Sequence, residues 1–106
     1  MSNIDRIKQI KLILNDSPND EFFNYALATE YVSIGQLEDA LELFEKLVSQ
    51  SPEYFATYYH LGKLYEKLDD PINAQKSYEK GLDVTKKMNE RHANNELRGA
   101  LDELLY

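Results

Sequence analysis

"NYALATEYVSIGQLEDALELFEKLV" (24–48) is followed shortly by "YYHLGKLYEKLDDPINAQKSYEKGL" (58–82), and the second stretch repeats the first at an offset of 34 residues. Tyr25 falls on Tyr59, Leu27 on Leu61, Ala28 on Gly62 and Tyr31 on Tyr65. Ala40 then meets Ala74, Phe44 meets Tyr78, Glu45-Lys46 meets Glu79-Lys80, Val48 meets Leu82, and Pro18 falls on Pro52. That many matches in one register mark an internal repeat.

Each copy reads as two helices. Tyr58, Leu61, Tyr65 and Leu68 recur at three- and four-residue spacing, as on a helix with one buried face. Asp69-Asp70-Pro71 ends that helix, with Asp70 able to cap the next one and Pro71 suited to a first helical turn. In the first copy Gly35 is the breaker, because glycine tolerates the left-handed conformation at a helix end. Ala28, Gly62, Ala40 and Ala74 are small enough for paired helices to approach closely.

Leu-Gly, a following Tyr, a later Ala, an aromatic four residues on and a closing Pro, in a unit of 34 residues, make this pattern resemble the tetratricopeptide repeat. The second copy carries Tyr58, Leu61-Gly62, Tyr65, Ala74, Tyr78 and Gly81, with Lys86 in place of the closing proline. The first carries Leu27-Ala28, Tyr31, Ala40, Phe44 and Pro52, and departs at Asn24, where an aromatic is usual, and at Leu47, where a small residue is usual. The resemblance covers 21–88. It implies an all-α fold, a right-handed solenoid of helical hairpins with about six antiparallel helices.

The ends fall in the same register. Residues 3–17 read as a half repeat of second-helix type, with Ile10 on Phe44, Ile13 on Leu47 and Leu14 on Val48. Residues 21–54 and 55–88 are the two repeats. Ala93, Leu97, Ala100, Leu101 and Leu104 form an apolar stripe within 89–106, a capping helix that solvates the end of the stack. The whole chain, 1–106, is expected to be one domain, and Met1 with the closing helix is expected of a complete protein. Ile4, Ile7 and Leu12 form an edge on the first helix that offers a homodimer contact, against which stand the solvating side chains Lys8, Gln9 and Lys11.

Composition narrows the function. There is no cysteine, which excludes disulfides, thiolate zinc sites and cysteine nucleophiles. Net charge is −7, from 19 acidic and 12 basic residues, and no basic tract occurs. Phosphate backbones and anionic lipids attract Lys/Arg clusters, so neither nucleic acid nor a membrane is the expected partner. Apolar runs are too short to span a bilayer and no charged-then-apolar leader opens the chain, which makes a cytoplasmic setting the expectation.

The resemblance implies that first helices line a concave groove for a peptide or helix of another protein. In register, that lining is Phe22, Tyr25, Thr29, Val32 and Ser33, then Ala56, Tyr59, His60, Lys63, Glu66 and Lys67. Tyr31, Tyr58, Tyr65 and Tyr78 fall on packing positions. Tyr25 and Tyr59 stand off the buried stripe, and tyrosine offers large contact area at low entropic cost. Lys63 and Lys67 offer charge to an acidic peptide, or else pair with Glu66 and Asp70. Some members of the family grip a C-terminal carboxylate with Lys, Asn and Arg. The corresponding places here hold Tyr25, Thr29, His60, Glu90 and Asn94, so that clamp is not expected.

No enzyme is expected either. His60 and His92 lack an evident catalytic partner, and no phosphate loop or nucleophile motif is present. His92 and Glu96, at i and i+4, are two ligands at most, which makes a weak metal site, and no cofactor is called for. The expected function is a non-catalytic protein-binding module; the alternative is a structural subunit that self-assembles through its first helix.

Overall fold

The computed structural model describes residues 2–106, and among them six helices and no strand occur: α1 (Asn3–Asp16), α2 (Glu21–Ser33), α3 (Leu37–Gln50), α4 (Ala56–Lys67), α5 (Pro71–Lys87) and α6 (Arg91–Leu105). They divide into two compact units, one ending at Ser51 and the other running from Pro52 to Tyr106.

Helix ends are set by side-chain caps at one terminus and by backbone closure at the other. Ser2, Asp20 and Asp70 accept bonds from the backbone N–H three residues on, at 3.2, 2.9 and 3.2 Å, and so cap α1, α2 and α5. Pro71, whose missing N–H costs nothing in a first turn, follows the last of these. Three helices end in the same left-handed closure. Gly35, Asp69 and Asn89 take φ of 80°, 56° and 58°, and the next residue's N–H reaches back to the carbonyl of Tyr31, Tyr65 and Thr85 at 2.9, 2.9 and 2.8 Å. This bond satisfies a carbonyl the helix end would otherwise leave unpaired. Gly35 meets the requirement without strain. Asp69, its repeat partner, belongs with Asn to the residues that tolerate it next best.

In the first unit α2 packs against both α1 and α3. Its core is Ile7, Leu27, Ala28, Ala40, Phe44 and Leu47. Full burial of a side chain such as Phe44 or Leu27 is worth about 1.5–3 kcal/mol. Repeat register puts Ile7 on an open edge of α1 with Ile4 and Leu12. Ile7 is instead buried, while Ile4 and Leu12 are 53% and 67% exposed. In this unit α1 meets only α2, so its buried side is turned toward that one neighbour, and Ile13 is left exposed.

In the second unit α4 packs on α5, and α6 packs mainly on α5 and less on α4. Tyr58, Leu61, Leu64, Ala74, Tyr78, Leu97 and Ala100 are buried there. Close approach relies on two glycines. A methyl on Gly62 would overlap the Tyr78 ring, and one on Gly81 would lie 2.7 Å from Tyr58 Cβ and 2.9 Å from Leu97 Cδ1. Where repeat 1 closes α3 at Ser51-Pro52, repeat 2 has Lys86, and α5 runs on to Lys87 before Asn89 turns the chain. Asn94 then ties α6 to α5 by donating to Leu82 O at 3.2 Å and Thr85 Oγ1 at 3.0 Å.

Asn24, the departure from the repeat pattern, has a defined role. Its side chain is buried, and Nδ2 donates to Pro18 O at 3.0 Å and Asp20 O at 2.8 Å. In repeat 2 the residue in register is Tyr58, whose hydroxyl donates to Pro52 O at 2.6 Å. Both side chains satisfy the carbonyl of the same proline in the repeat. An amide and a phenol serve alike, because a donor to a loop carbonyl is what the position requires.

Candidate functional site

The first helix of each repeat carries the candidate residues. On α2, Phe22, Tyr25 and Thr29 share a face by their i, i+3, i+7 spacing. Phe22 is 58% exposed and stands edge-on to Phe23 at 5.2 Å between ring centroids. Tyr25 is half-buried, its ring edge-on to Phe44 at 6.4 Å. Thr29, also half-buried, donates Oγ1 to Ala26 O at 2.8 Å, a bond within its own helix that uses the hydroxyl proton.

On α4, Tyr59 and His60 with Lys63 and Lys67 follow the same face at four-residue steps. Tyr59 is half-buried and lies 6.5 Å from Tyr78, the residue in register with Phe44. Each tyrosine of the pair therefore rests against the inner aromatic of its own hairpin, with part of its ring open to solvent. Lys63 Nζ sits 5.6 Å from the Tyr59 ring centroid, a cation–π distance, and 3.8 Å from Glu66. Glu66 also accepts the Tyr78 hydroxyl proton. Burial and this carboxylate raise the Tyr78 phenol well above its ordinary range, so Tyr78 stays a neutral donor. Lys67 is exposed.

His60 is half-buried, and burial lowers its pKa while Glu96 on α6 pulls it back up. A neutral imidazole edge-on to Tyr59 at 5.6 Å makes a contact surface. His92 Nε2 lies 3.3 Å from Glu96 Oε1, and the two side chains are 93% and 55% exposed. Among the described residues no group of three His, Cys, Asp or Glu is placed to hold a metal ion. Asn94, one of the carboxylate-clamp places, spends its amide on α5.

Two clefts were not anticipated from sequence. One of 620 Å³ lies in the first unit on the side of Tyr31, Glu42 and Lys46. The other, of 770 Å³, lies between α5 and α6 over Leu82 and Leu101, with Arg98 on its wall. Neither contains a predicted lining residue. Each is lined from two neighbouring helices, α2 with α3 and α5 with α6, and spacing along one helix does not report a hollow between two.

Residues 28–69 match a family model described as TPR repeat, and residues 55–88 match one described as tetratricopeptide repeat. The chain is 26% identical over 91 residues to a TPR repeat-containing protein of Pseudomonas aeruginosa, covering 86% of this chain and 87% of that protein. Among solved structures, it is 41% identical to the tetratricopeptide repeat domain protein from Salinibacter ruber, with a TM-score of 0.79 over 82% of this chain and 88% of that one. The Sgt2 TPR domain from Aspergillus fumigatus shares the fold at 23% identity, with a TM-score of 0.79 over 92% of this chain and 62% of that one.

Proposed function

The chain belongs to the tetratricopeptide repeat family, whose helical-hairpin fold serves protein–protein interaction, and from that premise we propose that it binds a peptide or helix of a partner protein on the first-helix faces of its two repeats. The reading takes 21–54 and 55–88 as the repeats, 3–17 as a half repeat and 89–106 as the closing helix. The contact residues are Phe22, Tyr25 and Thr29 on α2, and Tyr59, His60, Lys63 and Lys67 on α4.

One observation carries the proposal. Tyr25 and Tyr59 occupy the same register, and each is held against an inner aromatic while remaining half-open. Partial exposure alone does not single this pair out, since Tyr31 and Tyr65 are half-buried as well; the support of each ring by the inner aromatic of its hairpin, on the face of the first helix, does. A ring already held in place loses little entropy on binding, which is how tyrosine comes to dominate interfaces. The module acts without catalysis, as a scaffold or adaptor, in the cytoplasm. No helix among the described residues is long and apolar enough to cross a membrane, and net charge of −7 disfavours phosphate-rich partners.

The test is capture from cell lysate with the wild-type chain and with Tyr25→Ala/Tyr59→Ala, read by mass spectrometry. Proteins retained by wild type should be lost with the double variant while its helicity stays unchanged. The same captured set with both chains would refute the assignment of these faces.

A further inference from the structure

The two ends of the chain are complementary in type. In register α1 reads as a second helix and α6 as a first helix, and among the described residues no first helix precedes α1 and no second helix follows α6. Placed end to end, α6 of one copy and α1 of another would complete a hairpin, and copies could grow into a stack. We propose that Arg6 and Arg98 prevent this by occupying the two places where a hairpin takes only small residues.

The internal hairpins show how restrictive those places are. The first helix contributes Ala28 or Gly62, the second Ala40 or Ala74, and all four are buried. In repeat 2 even a methyl at Gly62 would overlap the Tyr78 ring. Register places Arg6 on Ala40, and α1 and α3 end with the same bond, Ser17 N–H to Ile13 O and Ser51 N–H to Leu47 O.

Helix α6 is displaced by the longer α5, so its register is read from burial. Leu97, Ala100 and Leu104 match Leu61, Leu64 and Leu68, each 36 residues further on. That offset sets Arg98 on Gly62. The cleft between α5 and α6 agrees, because a following second helix would pack there, and Arg98 lines it beside Leu82 and Leu101.

A hairpin made in trans would bring both guanidinium groups into one dry seam. Arginine overfills a site that tolerates a methyl at most, taking a guanidinium out of water is costly even when it is paired, and two like charges repel. Each arginine is accommodated while the seam is open. Arg6 Nε pairs with Glu30 Oε1 at 3.0 Å and Nη2 donates to Asn3 Oδ1 at 3.0 Å, and Arg98 is exposed.

The test mixes two single variants, Arg6→Ala and Arg98→Ala, and follows mass by sedimentation equilibrium across concentrations. The open α6 seam of the Arg98→Ala chain can then receive the α1 of the Arg6→Ala chain, restoring the small pair found in repeat 1. The equimolar mixture should reach twice the mass of the unmodified chain at the same concentration, while each variant alone matches the unmodified chain. No gain in the mixture, with helicity intact, overturns the proposal. So does an equal gain by either variant alone, because one arginine would still fill the seam. If Arg6→Ala disturbs α1 by stranding the Glu30 carboxylate, Arg6→Ala/Glu30→Gln removes that charge and takes its place in the mixture.

Discussion

Gly62→Ala pits space against helix propensity. Alanine is the better helix former by about 0.8–1 kcal/mol, so an open helical glycine gains on replacement. At Gly62 the added methyl enters the Tyr78 ring, which has no solvent exposure and whose hydroxyl is held by Glu66. The ring cannot swing away without losing that bond, and α4 and α5 must separate. Overpacking of this kind costs about 1–3 kcal/mol, and here it lies toward the upper end. The net loss is then about 1–2 kcal/mol, and each kcal/mol lowers Tm by roughly 4–8 °C in a domain of this size. Gly99 is the control. It is helical, nothing lies within 4 Å of a Cβ built there, and Gly99→Ala should stabilise by about 0.5–1 kcal/mol. Thermal and urea unfolding followed by circular dichroism reads both. Tyr78→Phe should also cost less in the Gly62→Ala background than alone, since the displaced ring has already lost Glu66. If Gly62→Ala matches Gly99→Ala in sign and size, the hairpin seam is not tight and the reasoning fails.

Asn24→Ala should cost about 0.5–1.5 kcal/mol, because the carbonyls of Pro18 and Asp20 lose their side-chain donor, whereas Asn24→Tyr should recover part of it by repeating the Tyr58–Pro52 bond; urea melts of the two variants decide. Asp20→Ala removes the cap on α2 and should lower stability by about 1 kcal/mol, read in the same way. For His60 the sign follows from burial. Its pKa is lower folded than unfolded, so the unfolded chain binds the extra proton, and stability falls as pH drops through the ordinary histidine value near 6.5 toward the folded one. His60→Gln should flatten that part of the stability–pH profile, and an unchanged slope would remove His60 from the explanation.

Wherever one residue type answers one physical demand, the sequence is informative. Gly35, Asp70-Pro71 and the small pairs Ala28/Ala40 and Gly62/Ala74 could be read directly, because left-handed turns, capped first turns and close helix contact admit few side chains. Asn24 could not, since a polar residue at an aromatic position reads as a defect until its target carbonyl is seen. Ile7 was misplaced because α1 has one helical neighbour in its unit, and the repeat pattern assumes more. The register of α6 was also hidden. An offset of 34 sets Glu90 and Asn94 on the groove, but with no proline to stop it α5 extends to Lys87, and Asn94 turns to α5. Of the candidate site, the faces followed from helical spacing. The support of Tyr25 by Phe44 and of Tyr59 by Tyr78 is a contact between two helices, which spacing along one helix does not report.

Once a partner has been captured, amide chemical-shift mapping of the isotope-labelled chain during titration with that partner locates the binding surface residue by residue. Shifts and broadening concentrated at Phe22, Tyr25 and Thr29 on α2 and at Tyr59, His60, Lys63 and Lys67 on α4 are the expected result. A footprint confined to the outer residues of α3 and α5, with those seven undisturbed, would contradict binding on the first-helix faces.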